Sequence, residues 1–514
     1  MKVLNIGDEL DINDFIEWLE NGNQVKITDL AIKKVQDCYE SLKILNLKEE
    51  PIYGISTGFG QFQNKWIELD KQGELQVNLI RSHAVGVGDQ IDRKIVRIAM
   101  VLLLNSLTKG HSGVKLETVK LLESFINKDI MPVTYEIGSL GASGDLAPLA
   151  HIALTLIGEG EVNYEGEIME TKEVLKIVNL KPLKLEAKEG LALINGTHFV
   201  TAYAVELFRR SKHLILTSLM GASLSLEALR GTDVPYDENI ANLRRHHGHK
   251  MVSMIMRQML KNSKNIKSHS HHSSHEKTQD PYSLRCLPQV VGAVWDGFGY
   301  LEKTLNVEIN SVTDNPLLFV SEDKVLSGGN FHAEPLGLPL EMVIIGLIEI
   351  ANITEARVSK LVDPYVDELP SFLAGEPGLE SGYMIAHYTV ASLLNKLRGL
   401  GMPNLVDNIH VSGGQEDHVS MAMNTATRSM KVLEMVEDII IFEIMMAVRG
   451  LNLVQHDELS SYLSNMLNFI NEKIEFIVDD HVIRNVFVDY KELMVMEKYK
   501  EILNNFENYP KSFL

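Results

Sequence analysis

Residues 334–362, EPLGLPLEMVIIGLIEIANITEARVSKLV, carry apolar side chains at helical spacing over an unbroken stretch and read as one long helix. Similar patterning runs roughly from Glu186 to Leu229, from Ser283 to Val307 and from Gln415 to Val448. Helices of this length bury their apolar stripes by packing side by side, which predicts a mainly α fold built on a long-helix bundle. Asp89 to Leu107 adds a shorter helix, with Gly110 as its stop. Strand signals are few: Glu161 to Met169, turning at Glu165-Gly166, and Leu317 to Leu326, turning at Glu322-Asp323, each read as a short hairpin. Shorter helices and loops precede the long helices. The expected division is therefore a smaller N-terminal helix/loop domain, residues 1–197, and a long-helix bundle domain, residues 198–514.

At 514 residues and 45% hydrophobic content the chain can bury a large core. Its 49 basic and 69 acidic residues leave a net charge of −20, which argues against nucleic acid and acidic membrane surfaces as partners, since both reward a basic face. Only Cys38 and Cys286 occur, which excludes a disulfide framework and fits a reducing compartment. The opening MKVLNIGDEL turns acidic before a signal-length apolar region forms. The run from Met342 to Ile348 is interrupted by Glu349 and falls far short of a bilayer span. A cytoplasmic protein is expected.

The segment Gly138-Ser-Leu-Gly-Ala-Ser-Gly-Asp-Leu-Ala-Pro-Leu-Ala-His151 raises a chemical question. Attack of the Gly144 nitrogen on the Ala142 carbonyl, with loss of two waters, would close the backbone into an imidazolinone and turn Ser143 into a dehydroalanine. That product is an electrophile, which no encoded side chain offers. Small Ala142 and Gly144 suit the compressed geometry, and Asp145 with Pro148 reads as a helix entrance. Glycines spaced in this way before a helix equally describe a plain turn or an anion nest.

Other segments are open on their own residues. Tyr53-Gly-Ile-Ser-Thr-Gly-Phe-Gly60 is a loop whose tyrosine is either structural or a general base. Arg285, in Gln279-Asp-Pro-Tyr-Ser-Leu-Arg285, suits a bidentate carboxylate pair or a surface salt bridge. Glu416, Asp417 and His418 read as the head of a helix, where acidic residues are expected from the dipole alone. The His-rich segment Ser268 to His275 and the cluster Arg244-Arg-His-His-Gly-His249 lack metal-ligand spacing and read as solvated polar stretches. No metal is expected.

Taken in order, these segments together with Ser82-His83, Asn195-Gly-Thr197, Thr313-Asp-Asn-Pro316, Gly329-Asn-Phe-His-Ala-Glu-Pro335 and Gln415 to Met421 resemble the aromatic amino-acid lyase family over nearly the whole chain. The resemblance implies that Ala142, Ser143 and Gly144 cyclise to a 4-methylidene-imidazol-5-one, that no external cofactor is needed, and that the protein is a homotetramer with shared active sites. It implies non-oxidative elimination of ammonia from a small aromatic amino acid. Within it, Tyr53 is the base for the β-proton, Arg285 holds the carboxylate, and Asn195 donates to the imidazolone oxygen. Tyr282 and Gln279 line the pocket and Phe331 packs near the ring.

Three positions point to histidine as substrate and urocanate as product. Family members acting on phenylalanine or tyrosine carry pairs such as Phe-Leu or His-Leu where this chain has Ser82-His83, and tend to have Gln where it has Glu416. Met384 matches a position that contacts imidazole. Ser56, Arg81 and Ser412-Gly-Gly414 depart from the usual pattern. The alternatives are a phenylalanine or tyrosine lyase, an aminomutase on the same scaffold, or a non-catalytic helical protein binding metal through its His-rich loop.

Overall fold

The computed structural model describes residues 2–47, 51–269, 279–366, 368–507 and 510–514. The fold is mainly α, with long helices and a few small sheets. The stretch 334–362 forms the helix Glu334–Leu361. Val343, Ile344, Leu347, Ile350, Ala351 and Val358 are buried on it, and Leu338, Met342 and Ile345 form an exposed apolar stripe. By length and composition this helix could cross a membrane, but 72% of its most apolar window is buried in protein. Its apolar character is thus explained by packing.

The other long helices are His198–Ala228, Leu287–Glu308 and Ala422–Leu453. Packing divides the chain into two compact units. Unit 1 comprises Met1–Leu207, Lys303–Glu341 and Pro403–Arg428; unit 2 comprises Phe208–Glu302, Met342–Met402 and Ser429–Leu514. A single cut after residue 197 is a coarser division than this interleaved one.

Unit 1 centres on the helix Arg93–Thr108, which is buried from Ile98 to Thr108 on every face. Both expected hairpins are present. In the first, Glu161–Tyr164 pairs with Glu167–Glu170, and Glu165 and Gly166 take φ of 52° and 88°, the left-handed pair that a tight hairpin turn requires. In the second, Leu317–Phe319 pairs with Lys324–Leu326. Among the described residues the sequence reading missed three other pairings: Lys2–Ile6 runs parallel to Gly22–Ile27, Val87–Gln90 pairs with Tyr135–Ile137, and Met131–Pro132 adds a third strand beside Glu161–Tyr164. In unit 2 the C-terminal Phe513 packs at 4.7 Å from Trp295 and 5.2 Å from Phe298, ring centre to ring centre.

Four expected helices start or break elsewhere, among them the one from Ser283 to Val307, which breaks at Cys286 into Tyr282–Arg285 and Leu287–Glu308. The one expected from Asp89 begins at Arg93, because Asp92 accepts the Lys94 N–H at 2.7 Å as its cap while residues 87–90 pair as a strand. The stretch 186–229 splits into Glu189–Ile194 and His198–Ala228 around Asn195 and Gly196, the latter at φ 135°. The helix expected from Gln415 begins only at Ala422. Residues 416–421 direct their backbone groups to Val411, Asn408 and Leu140, and Met421 has φ 52°, so no helix forms there. The His-rich segment lies, from residue 270 on, outside the described residues. In the second His cluster, His246 and His247 are exposed but His249 is buried, and burial lowers its pKa, so a wholly solvated cluster is not what forms.

Candidate active site

The turn 139–145 is held by backbone and hydroxyl groups from segments far away in sequence. Ser139 Oγ accepts the Gly141 N–H at 3.2 Å and donates towards Gly144 O and Asp145 Oδ1 at 3.3 and 3.1 Å. Leu140 O accepts the Met421 N–H at 2.8 Å. Gly141 O accepts both the Ala333 N–H and the Ser420 hydroxyl, each at 3.0 Å. On the other side, the Asp145 N–H donates to Gly196 O at 2.7 Å. Ala142 packs in a small apolar cluster with Val419 and Met421.

Gly144 sits at φ 75°, and a Cβ there would fall 2.2 Å from Gly196 O and 2.5 Å from its C and N atoms. No other residue fits without moving that backbone. Ser143 is part-exposed, and its hydroxyl donates to Glu416 Oε1 at 3.0 Å. The tripeptide is therefore held at both flanks, has no room for a Cβ at its glycine and is part-exposed at the serine. This arrangement fits the self-formed imidazolone that the sequence suggested.

Asp145 does not cap the helix that follows it. Its buried carboxylate instead accepts the Phe199 and Val200 N–H groups at 2.7 and 3.0 Å, capping the helix His198–Ala228. Burial pushes its pKa up to about 6, opposed by these bonds and by Ser139. Asn195 lies where that helix is interrupted and is 4% exposed; its Oδ1 is buried with no hydrogen-bond partner among the described residues. Such an atom is costly unless a ligand or water meets it.

Glu416 is set by a turn, with Val411 and Glu416 exchanging backbone bonds around Ser412–Gly414. Near it His83, the last residue of the helix Gln72–His83, points Nδ1 at Leu79 O at 2.8 Å. That bond puts the proton on Nδ1 and leaves the Nε2 lone pair as an acceptor. Burial lowers the His83 pKa, while the Leu79 bond and the charge of Glu416 oppose the drop. The Tyr53 hydroxyl oxygen accepts the Gly60 N–H at 3.2 Å, with its ring edge-on to Phe59. The Gly60 turn abuts Ser412, to which a Cβ on Gly60 would come within 3.0 Å. Phe331 is half-buried, two residues before the Ala333 amide that anchors Gly141.

Tyr53, His83, Ala142, Ser143, Gly144, Asn195, Phe331 and Glu416 thus all belong to unit 1, and Gln279, Tyr282, Arg285 and Met384 to unit 2. In unit 2 the Arg285 guanidinium lies 4.5 Å over the Tyr282 ring, a cation–π contact. Arg285 Nε is buried without a partner among the described residues, so the surface salt bridge considered from sequence is absent from them. Gln279 and Tyr282 are exposed, and Met384 begins a separate helix, Met384–Gly399.

Sequence reading overlooked Gly196, Ser420 and the capping role of Asp145. All three lie within the quoted motifs, but nothing in the local sequence marked their bonds to distant segments. His332, Glu334 and His418 offer ligand atoms within 4.8 Å of one another, a donor set that suits zinc. His332 Nδ1, however, already accepts the Glu334 N–H at 3.3 Å, and His418 is exposed.

The family model for aromatic amino acid lyase matches residues 10–472. A histidine ammonia-lyase of Caldanaerobacter subterraneus subsp. tengcongensis is 40% identical over 488 residues, covering 95% of each chain. Among solved structures, the histidine ammonia-lyase of Trypanosoma cruzi is similar with a TM-score of 0.89 at 33% identity, covering 98% of this chain and 95% of that one. The phenylalanine aminomutase of Pantoea agglomerans is similar with a TM-score of 0.91 at 28% identity, covering 97% and 100%. The chain belongs to the aromatic amino acid lyase family. It is a carbon–nitrogen lyase.

Proposed function

We propose that the enzyme eliminates ammonia from L-histidine to give urocanate, without oxidation. The observation that carries this reading is the Glu416 carboxylate, bonded to Ser143 at 3.0 Å and close enough to His83 to act on its titration. The Glu416 carboxylate and the His83 Nε2 lone pair are acceptors for the N–H of an imidazole side chain, one of them when the ring is neutral and both when it is protonated, and a phenyl ring can use neither. The histidine ammonia-lyases among the relatives support the same substrate.

The α-amino group is a poor leaving group and the β-proton is hardly acidic. The imidazolone formed from Ala142, Ser143 and Gly144 supplies an electrophilic methylidene that improves the leaving group, with no external cofactor and no metal. Ala142 and Gly144 would supply its ring atoms, and Asn195 would hold it by donating to its oxygen. Tyr53 removes the β-proton. Arg285 binds the substrate carboxylate and orients the amino acid, with Tyr282 and Gln279 lining the same pocket. Glu416 and His83 hold the imidazole between them, and Phe331 and Met384 pack against ring and side chain.

The same reading includes a homotetramer that combines residues of several copies in each site. The exposed apolar stripe Leu338, Met342 and Ile345 supports it. Free thiols at Cys38 and Cys286 agree with a cytoplasmic location.

Incubating the pure protein with histidine, phenylalanine and tyrosine tests the substrate. Urocanate is expected; cinnamate or coumarate without urocanate overturns the histidine reading, and a β-amino acid as main product identifies an aminomutase. An intact mass lower than the encoded one by two waters is expected for the cyclised tripeptide.

A further inference from the structure

We propose that Tyr236 and Arg357 are positioning residues for Arg285, a role that rests on the reading of Arg285 as the carboxylate clamp. Arg285 ends a helix of one turn, Tyr282–Arg285. A single turn has no stability of its own, and its last carbonyls lack helical partners. Here two of them are met by side chains distant in sequence. Ser283 O accepts Arg357 Nη1 at 3.2 Å, and Leu284 O accepts the Tyr236 hydroxyl at 2.8 Å. The entry to the turn is held as well, since Asp280 Oδ2 accepts the Thr232 N–H at 2.8 Å.

Both supports are themselves fixed. Arg357 is 1% exposed and pairs bidentately with the fully buried Glu443, Nε to Oε1 at 2.5 Å and Nη2 to Oε2 at 2.9 Å. Thr354 takes a further Nη2 contact at 3.1 Å, and Ser225 donates to Glu443 Oε1 at 2.8 Å. With these bonds made, Nη1 has one direction left, towards Ser283. Tyr236 is 1% exposed, and burial raises the pKa of its hydroxyl, which keeps it a donor. Arg257 anchors its carbonyl at 2.6 Å. All these residues belong to unit 2.

A buried ion pair is weak evidence for stability in itself. This one is spent on orienting a single donor at the turn that carries the clamp. Among the described residues Arg285 is left with its guanidinium stacked on Tyr282 and its buried Nε without a partner, so the frame presents a fixed cation to a carboxylate. Misplacing such a group by an ångström weakens binding and orientation together.

The test is steady-state kinetics with L-histidine on the wild type, Tyr236→Phe, Arg357→Lys, Arg285→Lys and the double variant Tyr236→Phe/Arg285→Lys, with histamine as an inhibitor that lacks the carboxylate. Tyr236→Phe removes one hydroxyl and keeps the ring; a KM about fivefold higher is expected, corresponding to one lost hydrogen bond, with kcat little changed and the histamine inhibition constant unaltered. In the Arg285→Lys background the same substitution is expected to change KM by less than about twofold, because the two act as one unit. Arg357→Lys keeps a charge opposite Glu443 and is expected to show the same split. An unchanged KM in folded Tyr236→Phe, an equal loss of histamine affinity, or an undiminished effect in the Arg285→Lys background each overturns the positioning role. If Arg357→Lys does not fold, the Tyr236 variants decide. An unchanged KM in Arg285→Lys instead overturns the clamp reading beneath it.

Discussion

The two turns that carry the proposed chemistry are built on opposite plans. Residues 139–145 are tied on both flanks by Ala333, Ser420, Met421 and Gly196, and Ala142 is buried. Residues 281–285 are held at the Ser283 and Leu284 carbonyls, and leave Tyr282 69% exposed and Arg285 Nε without a partner among the described residues. The difference follows from when each acts. Cyclisation has to compress Ala142 and Gly144 before any substrate arrives, so the fold alone must supply the strain and the order. A clamp meets its carboxylate only on binding, and donors satisfied beforehand would have to give up those bonds first.

The contrast makes the first turn the more fragile. Gly144→Ala sets a Cβ against the Gly196 backbone at φ 75°; the expected outcome is an intact mass without the loss of two waters, and stability lower by roughly 1–3 kcal/mol. Ser143→Ala removes the β-hydroxyl and leaves the turn, so its mass is likewise uncyclised, its melting temperature is near that of the wild type, and activity drops by at least about a thousandfold, some 4 kcal/mol in the barrier. Comparing the two variants separates strain from chemistry.

At the second turn, Arg285→Lys is expected to leave the mass at two waters below the encoded value while KM rises about tenfold or more. Loss of cyclisation in this variant would erase the distinction between the turns. Glu416→Gln keeps an acceptor for Ser143 but loses the charge, and kcat/KM for histidine is expected to fall about tenfold relative to that for phenylalanine. An unchanged ratio would remove Glu416 from substrate choice.

The smallest effect concerns pH. His198, next to Thr197 and buried, has both ring nitrogens without a partner among the described residues, and burial lowers its pKa to about 3. Unfolded, it takes up a proton near 6.5, so between those values the unfolded chain binds more protons and stability declines as pH falls. Chemical denaturation across that window is expected to show the decline, with a shallower slope in His198→Gln. Asp145 works in the opposite sense, since its raised pKa makes the folded state bind the extra proton between its unfolded value and about 6.

Periodicity in the sequence was enough to place the helix Glu334–Leu361 and both hairpins, because those patterns repeat within a few residues. It failed at Gln415–Met421, where apolar and acidic residues in helical spacing form a strapped loop. It placed Asp145 correctly at the entrance of the helix Leu146–Leu156, but gave no sign that its carboxylate caps another helix. Glu416 and Ser143 were both singled out from sequence, yet their hydrogen bond spans 273 residues. Tyr236 and Arg357 gave no signal at all, since a buried tyrosine and a helical arginine are ordinary in isolation.

Residue types and their local order were sufficient for the helical class, because helical spacing is carried by neighbours in the chain, and they marked Ala142-Ser143-Gly144 as a tripeptide able to cyclise; the candidate base, clamp and pocket roles came from the family resemblance of the ordered motifs. Tertiary structure alone decided which backbone leaves Gly144 no room for a Cβ and which side chains hold the Arg285 turn. Those outcomes depend on hydrogen bonds and burial between segments tens to hundreds of residues apart, and they arise only once the core has packed.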